Sequence, residues 1–304
     1  METILITGGT GLVGTQLAVF LKEAGYQVLI LGRSKSGNTE FPTYKWDYKS
    51  GHIDIEAIEK ADFIIHLAGA NIGDKRWTDN QKKIIIDSRV KTTELLFKAV
   101  QEHNHKLKAF VSASAIGFYG ALTSEHIFVE TDDPCNDFLG KVCKDWEEAN
   151  ANFEQLNIRT INLRIGVVLT KDGGPLSKLV RPIKFGLGSV LGSGKQYMSW
   201  IHIHDLCNMF LKVIQDNNLQ GIFNAVAPSH ITNEELTRTI SHILRRHVWL
   251  PKIPETILKL IFGEMACTFL KGSRVSADKI LKTGFTFKYP EPEIALKNLI
   301  APKS

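Results

Sequence analysis

The chain has 304 residues, 43% of them hydrophobic and 23% charged, with a formal net charge of +5. That length suits one large α/β domain, or a core domain with a smaller lobe. The positive balance is spread over scattered Lys and Arg, which argues against a nucleic-acid-binding face, and no apolar run is long enough to cross a bilayer. Cys135, Cys143, Cys207 and Cys267 form no C-x-x-C pair, which fits a reducing compartment. No basic leader precedes the first apolar run. The expectation is a cytoplasmic protein acting on a small-molecule substrate, with no membrane and no nucleic-acid partner.

In chain order, residues 4–7 read as a strand and 12–24 as an amphipathic helix. Strands follow at 27–31 and 63–67, a helix at 79–103 with Ile85, Val90, Leu95, Leu96 and Val100 on its apolar stripe, and a strand at 109–112. A helix over 137–155 and a strand over 159–164 continue the alternation. The fold class is therefore α/β, a doubly wound parallel sheet. The glycines and prolines of 173–194 break the rhythm. A strand-to-helix pattern resumes at 201–217, a last sheet strand falls at 222–225, and helices interrupted by Pro251 and Pro254 follow from Thr232. The expected organisation is a Rossmann domain of residues 1–170 with 200–228, and a mostly helical substrate lobe of 171–199 with 229–304.

Chemistry enters at the first turn. Gly8, Gly11 and Gly14 are spaced G-x-x-G-x-x-G between a strand and a helix. Gly8 permits the tight turn, Gly11 lets backbone approach a pyrophosphate, and Gly14 lets the helix pack on the sheet. The helix start offers free N–H groups to the anion, which adds Thr10, Leu12 and Val13 to the cradle. An NAD-specific protein places Asp or Glu after the second strand, but here the strand runs into Gly32-Arg33-Ser34. A small residue followed by arginine accommodates a 2′-phosphate, so NADP(H) is the expected cofactor, although a solvent-facing arginine would look the same. Asp47 either accepts from the adenine amino group or serves a turn. The third strand, 63–67, runs into Ala68-Gly69 after Leu67, small residues that leave room for the cofactor, and His66 inside that strand reads as a packed core histidine.

T-G-G-T-G-L-V-G, D-F-I-I-H-L-A-G and S-A-S-A-I-G-F-Y-G resemble the extended short-chain dehydrogenase/reductases, which include sugar-nucleotide epimerases and dehydratases. Leu67–Ile72, Arg76-Trp77, Ser88-Arg89, Asp137–Leu139, Trp146-Glu147, Leu191–Gly194 and Ser199–His202 are similar to one atypical branch, the YfcH-like "epimerase family" proteins. The resemblance runs nearly end to end. It implies bound NADP(H), with Arg89, Ser112, Arg164 and Val168 joining the cofactor residues. Arg89 is either a second cation for the cofactor or half of an ion pair with a neighbouring helix. The resemblance also implies a homodimer through the helices 79–103 and 137–155.

The larger family uses a tyrosine to exchange the hydroxyl proton, a lysine four residues later to lower its pKa, and a serine or threonine to polarise the substrate oxygen. Ser114 supplies the serine. With Trp146-Glu147 fixing the register, Leu139 stands where tyrosine belongs and Cys143 where lysine belongs. Two readings stay open. In one, Tyr119 takes over as the acid and the protein is an oxidoreductase or epimerase. In the other, the protein is a non-catalytic NADP(H)-binding regulator. Segment 173–202 is either a mobile lid or a substrate contact in which Tyr197 and Trp200 stack on a ring and Lys195 meets a phosphate. His202 and His204 are spaced i, i+2, which on a strand gives them one face with Asp205 next to them, but the resemblance implies that Ile201–Leu206 is a structural strand-to-helix junction rather than a metal site.

Overall fold

Twelve strands and eleven α-helices emerge from this pattern in the computed structural model, which describes residues 1–34 and 40–301. The first half contains β1 (Thr3–Thr7), α1 (Leu12–Glu23), β2 (Gln27–Gly32), β3 (Thr43–Asp47), β4 (His52–Ile53), α2 (Ile55–Lys60), β5 (Phe63–His66), α3 (Asp79–His103), β6 (Ala109–Ala115), β7 (Ile127–Phe128), α4 (Phe138–Ala151), β8 (Arg159–Ile165) and β9 (Val167–Leu169). The second half contains α5 (Gly174–Lys184), β10 (Trp200–His202), α6 (Ile203–Gln215), β11 (Gly221–Ala225), α7 (Asn233–Ile243), α8 (Glu255–Phe262), α9 (Cys267–Leu270), β12 (Arg274–Val275), α10 (Asp278–Leu281) and α11 (Pro292–Ile300).

Eight strands form one sheet in the order β11-β8-β6-β5-β1-β2-β3-β4, parallel except for the short β4 at the edge. β1 is all apolar between its threonines because both of its faces are covered. Ile4 and Ile6 face α1 and α6 with Leu17, Leu21 and Phe210, while Leu5 faces the α2 and α3 side with Ile64, Leu96 and Phe110. Each of these fully buried aliphatic side chains contributes roughly 1.5–3 kcal/mol. The chain goes outward from β1 through β2 and β3, then returns to place β5 on the other side of β1. Strand order therefore reverses between β1 and β5, and ligands of such sheets bind at the carboxyl end of that crevice.

A second apolar cluster joins Leu176, Val180 and Ile183 of α5 to Trp200, to Leu236 and Ile240 of α7 and to Leu296 of α11. α7 opens with a capping box in which Thr232 and Glu235 each satisfy the other's backbone N–H. The parallel pair of β9 with β10 and the pair of β12 with β7 tie this lobe to the main sheet's strand ends.

The structure changes the expectation for residues 173–194. Their first part is not irregular: α5 carries Pro182 near its last turn. Leu176, Val180 and Ile183 keep helical spacing beneath the Gly and Pro punctuation, and their burial outweighs the proline cost. β3, β4 and α2 had no counterpart in the sequence pattern. β3 buries fully only Trp46, so no alternation marks it.

Candidate cofactor site

The turn from β1 into α1 is built on contacts that exclude side chains. Gly8 has φ +69, a left-handed conformation that favours glycine, and a Cβ there would lie 3.0 Å from the Ala68 backbone nitrogen. A Cβ on Gly14 would sit 2.3 Å from the Gly8 carbonyl oxygen, so the helix packs directly on the turn. A Cβ on Gly9 would meet Ile30 Cδ1 at 2.3 Å, a fourth steric constraint the triad spacing did not reveal. Gly11 donates its N–H to the Gly8 carbonyl at 2.9 Å. As N-cap of α1 it supplies no side-chain cap, and the first turn holds no acidic residue. The N–H groups of Leu12, Val13 and Gly14 thus open the helix toward the strand ends, with Thr10 and Gly11 exposed beside them, an arrangement suited to an anion.

At the switch point, the Thr7 hydroxyl accepts from the Leu67 and Ala68 N–H groups, each at 3.2 Å. It therefore donates to His66 Nδ1, 2.7 Å away, which leaves the imidazole proton on Nε2 facing Thr92 Oγ1 at 3.3 Å. His66 is fully buried, and burial, with the nearby Arg89 charge second, pushes its pKa down to about 3. It is a neutral strut joining β1, β5 and α3, as expected of a packed histidine. The sequence did not single out Thr7, which organises this junction.

Arg89 lies under the Leu67–Ala70 segment. Its Nη1 donates to the carbonyls of Ala70 at 3.1 Å and Ile85 at 2.9 Å, and its guanidinium rests on the Trp146 ring with 5.0 Å to the centroid. Ser88 braces the same segment by accepting from Ala70 N–H at 2.8 Å. A Cβ on Gly69 would lie 3.1 Å from Arg89 Cζ. No carboxylate among the described residues pairs with Arg89, so the ion pair with a neighbouring helix does not form. Burial lowers its pKa to about 10, and it stays cationic at neutral pH. Gly32 is half-buried at the end of β2, and Arg33 and Ser34 beyond it are exposed. A Cβ on Gly32 would come no nearer than 3.5 Å to its neighbours, so protein packing does not demand glycine there. Val168, half-buried in β9, packs against the same core cluster that Leu67 and Val13 also cover.

The expected catalytic residues are used elsewhere. Ser114 is buried, and its hydroxyl donates to Glu147 Oε1 at 2.5 Å. Arg164, 1% exposed, grips the same carboxylate through Nε at 2.9 Å and Nη2 at 2.8 Å. Its Nη1 donates to the Tyr119 hydroxyl at 3.0 Å, and that hydroxyl donates to Asn224 Oδ1 at 2.7 Å. The expected roles of Tyr119 as acid and Arg164 as cofactor ligand are therefore corrected: both are committed to a buried network that joins β6, β8, β11 and α4. Burial drives the Tyr119 pKa up to about 12, away from the value a general acid needs. Ser112 is likewise buried, and its hydroxyl donates to the Ala113 carbonyl at 2.9 Å. Glu147 anchors this network, although the sequence offered it only as a register marker.

Leu139 and Cys143 sit one helical turn apart on α4 and pack against the turn Ile116–Tyr119, close to where a Gly117 Cβ would stand. Leu139 belongs to an apolar cluster with Trp77, Phe138 and Met265. The Cys143 thiol is buried and its pKa is pushed up to about 12, chiefly by burial. Asp47 stabilises its own turn by accepting from Lys49 N–H and Ser50 Oγ, which places it on the turn side of its two readings.

The 196–205 region is structural. Trp200 is fully buried in the lobe core, so it does not stack on a ligand ring, and Tyr197 lies under the Arg274 guanidinium at 5.1 Å. Lys195 is exposed. His202 ends β10 while His204 already lies in α6, so they do not share a strand face. His202 Nδ1 caps α6 by accepting from His204 N–H at 3.1 Å, and its ring stacks on Tyr289 at 3.9 Å. Asp205 accepts the backbone N–H groups of Lys288 and Tyr289, both at 2.9 Å. These partners make 201–206 the junction the resemblance implied.

A doubly wound sheet whose glycine turn opens at the reversal of strand order, with an unpaired arginine beneath it, defines a dinucleotide-binding α/β protein. The chain belongs to the NAD dependent epimerase/dehydratase family, whose model matches residues 4–226, and a domain of unknown function, DUF1731, matches residues 253–299. It is 35% identical over 305 residues to the epimerase family protein SSP1921 of Staphylococcus saprophyticus, covering 99% of this chain and all of that one. It is 33% identical to the epimerase family protein YfhF of Bacillus subtilis, covering 98% of each. Among solved structures, human epimerase family protein SDR39U1 (isoform 2) with NADPH superposes with TM-score 0.86 at 31% identity, over 98% of this chain and 99% of that one.

Proposed function

We propose that this protein binds NADP(H) in the crevice between β1 and β5 and holds it as a sensor or regulator, without a tyrosine-based proton relay. The observation that carries the cofactor reading is Arg89: a half-buried cation with no carboxylate partner among the described residues, placed under the small residues that end β5. Its guanidinium is held by two carbonyls and the Trp146 ring but by no counter-charge, which leaves its positive charge for an anionic ligand. Arg33 is exposed at the end of β2, where an NADP 2′-phosphate is met in this fold. The 31% identity to a protein solved with NADPH supports the same choice.

When bound, NADPH supplies a hydride donor. Removing or returning a hydroxyl proton would fall to the protein, and in the register that the resemblance sets from Trp146-Glu147 the side chains for that task are Leu139 and Cys143 of α4. The two substitutes the sequence offered, Tyr119 and Ser114, are engaged by Asn224, Arg164 and Glu147. Of the two readings the sequence left open, these contacts favour the regulator over the oxidoreductase or epimerase. Titration of the purified protein with NADPH and with NADH tests the cofactor half. The expected result is one saturable site with NADPH preferred by roughly 10- to 100-fold, the range of one or two charge-assisted contacts to phosphate. Equal affinities would refute the assignment of Arg33.

A further inference from the structure

Phe185 and Leu187, just past the end of α5, are 79% and 59% exposed, and Trp249, beyond α7, is 70% exposed. These residues come from two separate segments that are fastened together: Trp249 Nε1 donates to the Gly186 carbonyl at 3.0 Å, and Ser189 Oγ donates to the Pro251 carbonyl at 2.5 Å. The aromatic rings are therefore held outward on a braced tip. Neither segment, 181–187 or 245–252, contains an Asp or Glu. Arg181, Lys184, Arg245 and Arg246 are all exposed, and none pairs with a carboxylate of the described residues. Arg181 and Lys184 also edge a surface groove of about 640 Å³ floored by Leu176, Val180, Leu244 and Leu299.

We infer that this tip docks the protein on an anionic lipid bilayer. Exposed Trp and Phe seat their rings at the boundary of headgroups and acyl chains, and the Trp249 N–H carries no desolvation cost there because the Gly186 carbonyl already accepts it. Unpaired Lys and Arg around them add electrostatic attraction to anionic lipid within a Debye length of the surface. Two segments that carry four cations unpaired among the described residues, and no acid of their own, complement a uniformly negative plane. The expectation of no membrane partner rested on apolar run length, a criterion blind to aromatic tips assembled from separate loops. The inference is independent of the cofactor assignment.

The test uses the full chain with vesicles of phosphatidylcholine alone or mixed with phosphatidylglycerol. Trp249 is a built-in reporter, because Trp46, Trp77, Trp146 and Trp200 are all buried. Binding to the anionic vesicles should shift Trp249 emission to the blue, and high salt should release the protein. F185S/W249S and R181E/K184E should each weaken co-sedimentation about tenfold or more while NADPH binding is retained. Quenching of Trp249 by brominated lipid in the unsubstituted protein is the second readout, which needs no variant to fold. No binding to anionic vesicles, unchanged binding by folded variants, or absence of bromolipid quenching would each overturn the proposal. So would a homodimer that F185S/W249S abolishes in a protein that does not bind vesicles.

Discussion

Replacing Arg164 with Met tests whether the residues next to the expected catalytic site are structural. The guanidinium and the Glu147 carboxylate form a two-pronged contact at 2.9 and 2.8 Å, with side chains only 2% and 8% exposed. In R164M the carboxylate stays buried and keeps only the Ser114 hydroxyl from this network. Breaking one side of such a pair costs about 3–5 kcal/mol, because the surviving charge is left uncompensated. At roughly 2–4 °C per kcal/mol, Tm should fall by about 6–20 °C. The double variant R164M/E147L removes both charges and should recover most of the loss, since apolar replacements of buried pairs are often neutral or stabilising. Thermal unfolding of the wild type, both single variants and the double variant closes the cycle. NADPH affinity of the double variant should match the wild type, because the Arg164 donors are spent on Glu147, Tyr119 and the Glu130 carbonyl. An R164M Tm within ~2 °C of wild type, or a double variant that folds but loses NADPH, would refute this description.

Arg33→Ala should weaken NADPH binding roughly 10- to 100-fold and leave NADH nearly unchanged, read by paired calorimetric titrations. Arg89→Met should instead weaken both dinucleotides about tenfold, because Arg89 sits at the β1–β5 crevice rather than at the end of β2; selective loss of NADPH would contradict that placement. Gly14→Ala drives a Cβ to 2.3 Å from the Gly8 carbonyl and should cost about 1–3 kcal/mol in denaturant unfolding together with cofactor affinity. His66 should make stability fall with acid. Its folded pKa of about 3 lies below the unfolded value of 6.5, so the unfolded chain binds the extra proton between those values. The stability contribution is complete above the unfolded pKa and lost as pH falls toward the folded one. Between pH 7 and 5 this histidine alone removes about 2 kcal/mol, and His66→Gln should flatten that slope in urea titrations.

The alternation of strands and helices was legible because both faces of the sheet are covered, so strands such as β1 are apolar between their ends and helices such as α3 bury Ile85, Leu96 and Val100 at helical spacing. The glycine turn was legible because steric exclusion at Gly8 and Gly14 leaves a fixed spacing in the sequence. α5 was hidden by Gly173, Gly174, Pro175 and Pro182, since local punctuation masked an apolar face that only the lobe core reveals. Tyr119 and Arg164 misled for a different reason. Their residue types suit catalysis and anion binding, but their partners Glu147 and Asn224 lie 17 to 105 positions away, and no local pattern records such pairings. The braced tip at Phe185 and Trp249 joins residues 63 positions apart and was invisible for the same reason.

The central claim is that this protein holds NADPH without a protein-borne proton relay. Its most direct test follows the nicotinamide absorbance of the stoichiometric NADPH complex across a panel of carbonyl compounds and sugar nucleotides, with chromatography of the sugars afterwards. The predicted result is a stable complex, unchanged absorbance and no epimeric or reduced product. Substrate-dependent loss of the reduced nicotinamide signal, or an epimerised sugar formed at a catalytic rate, would contradict it.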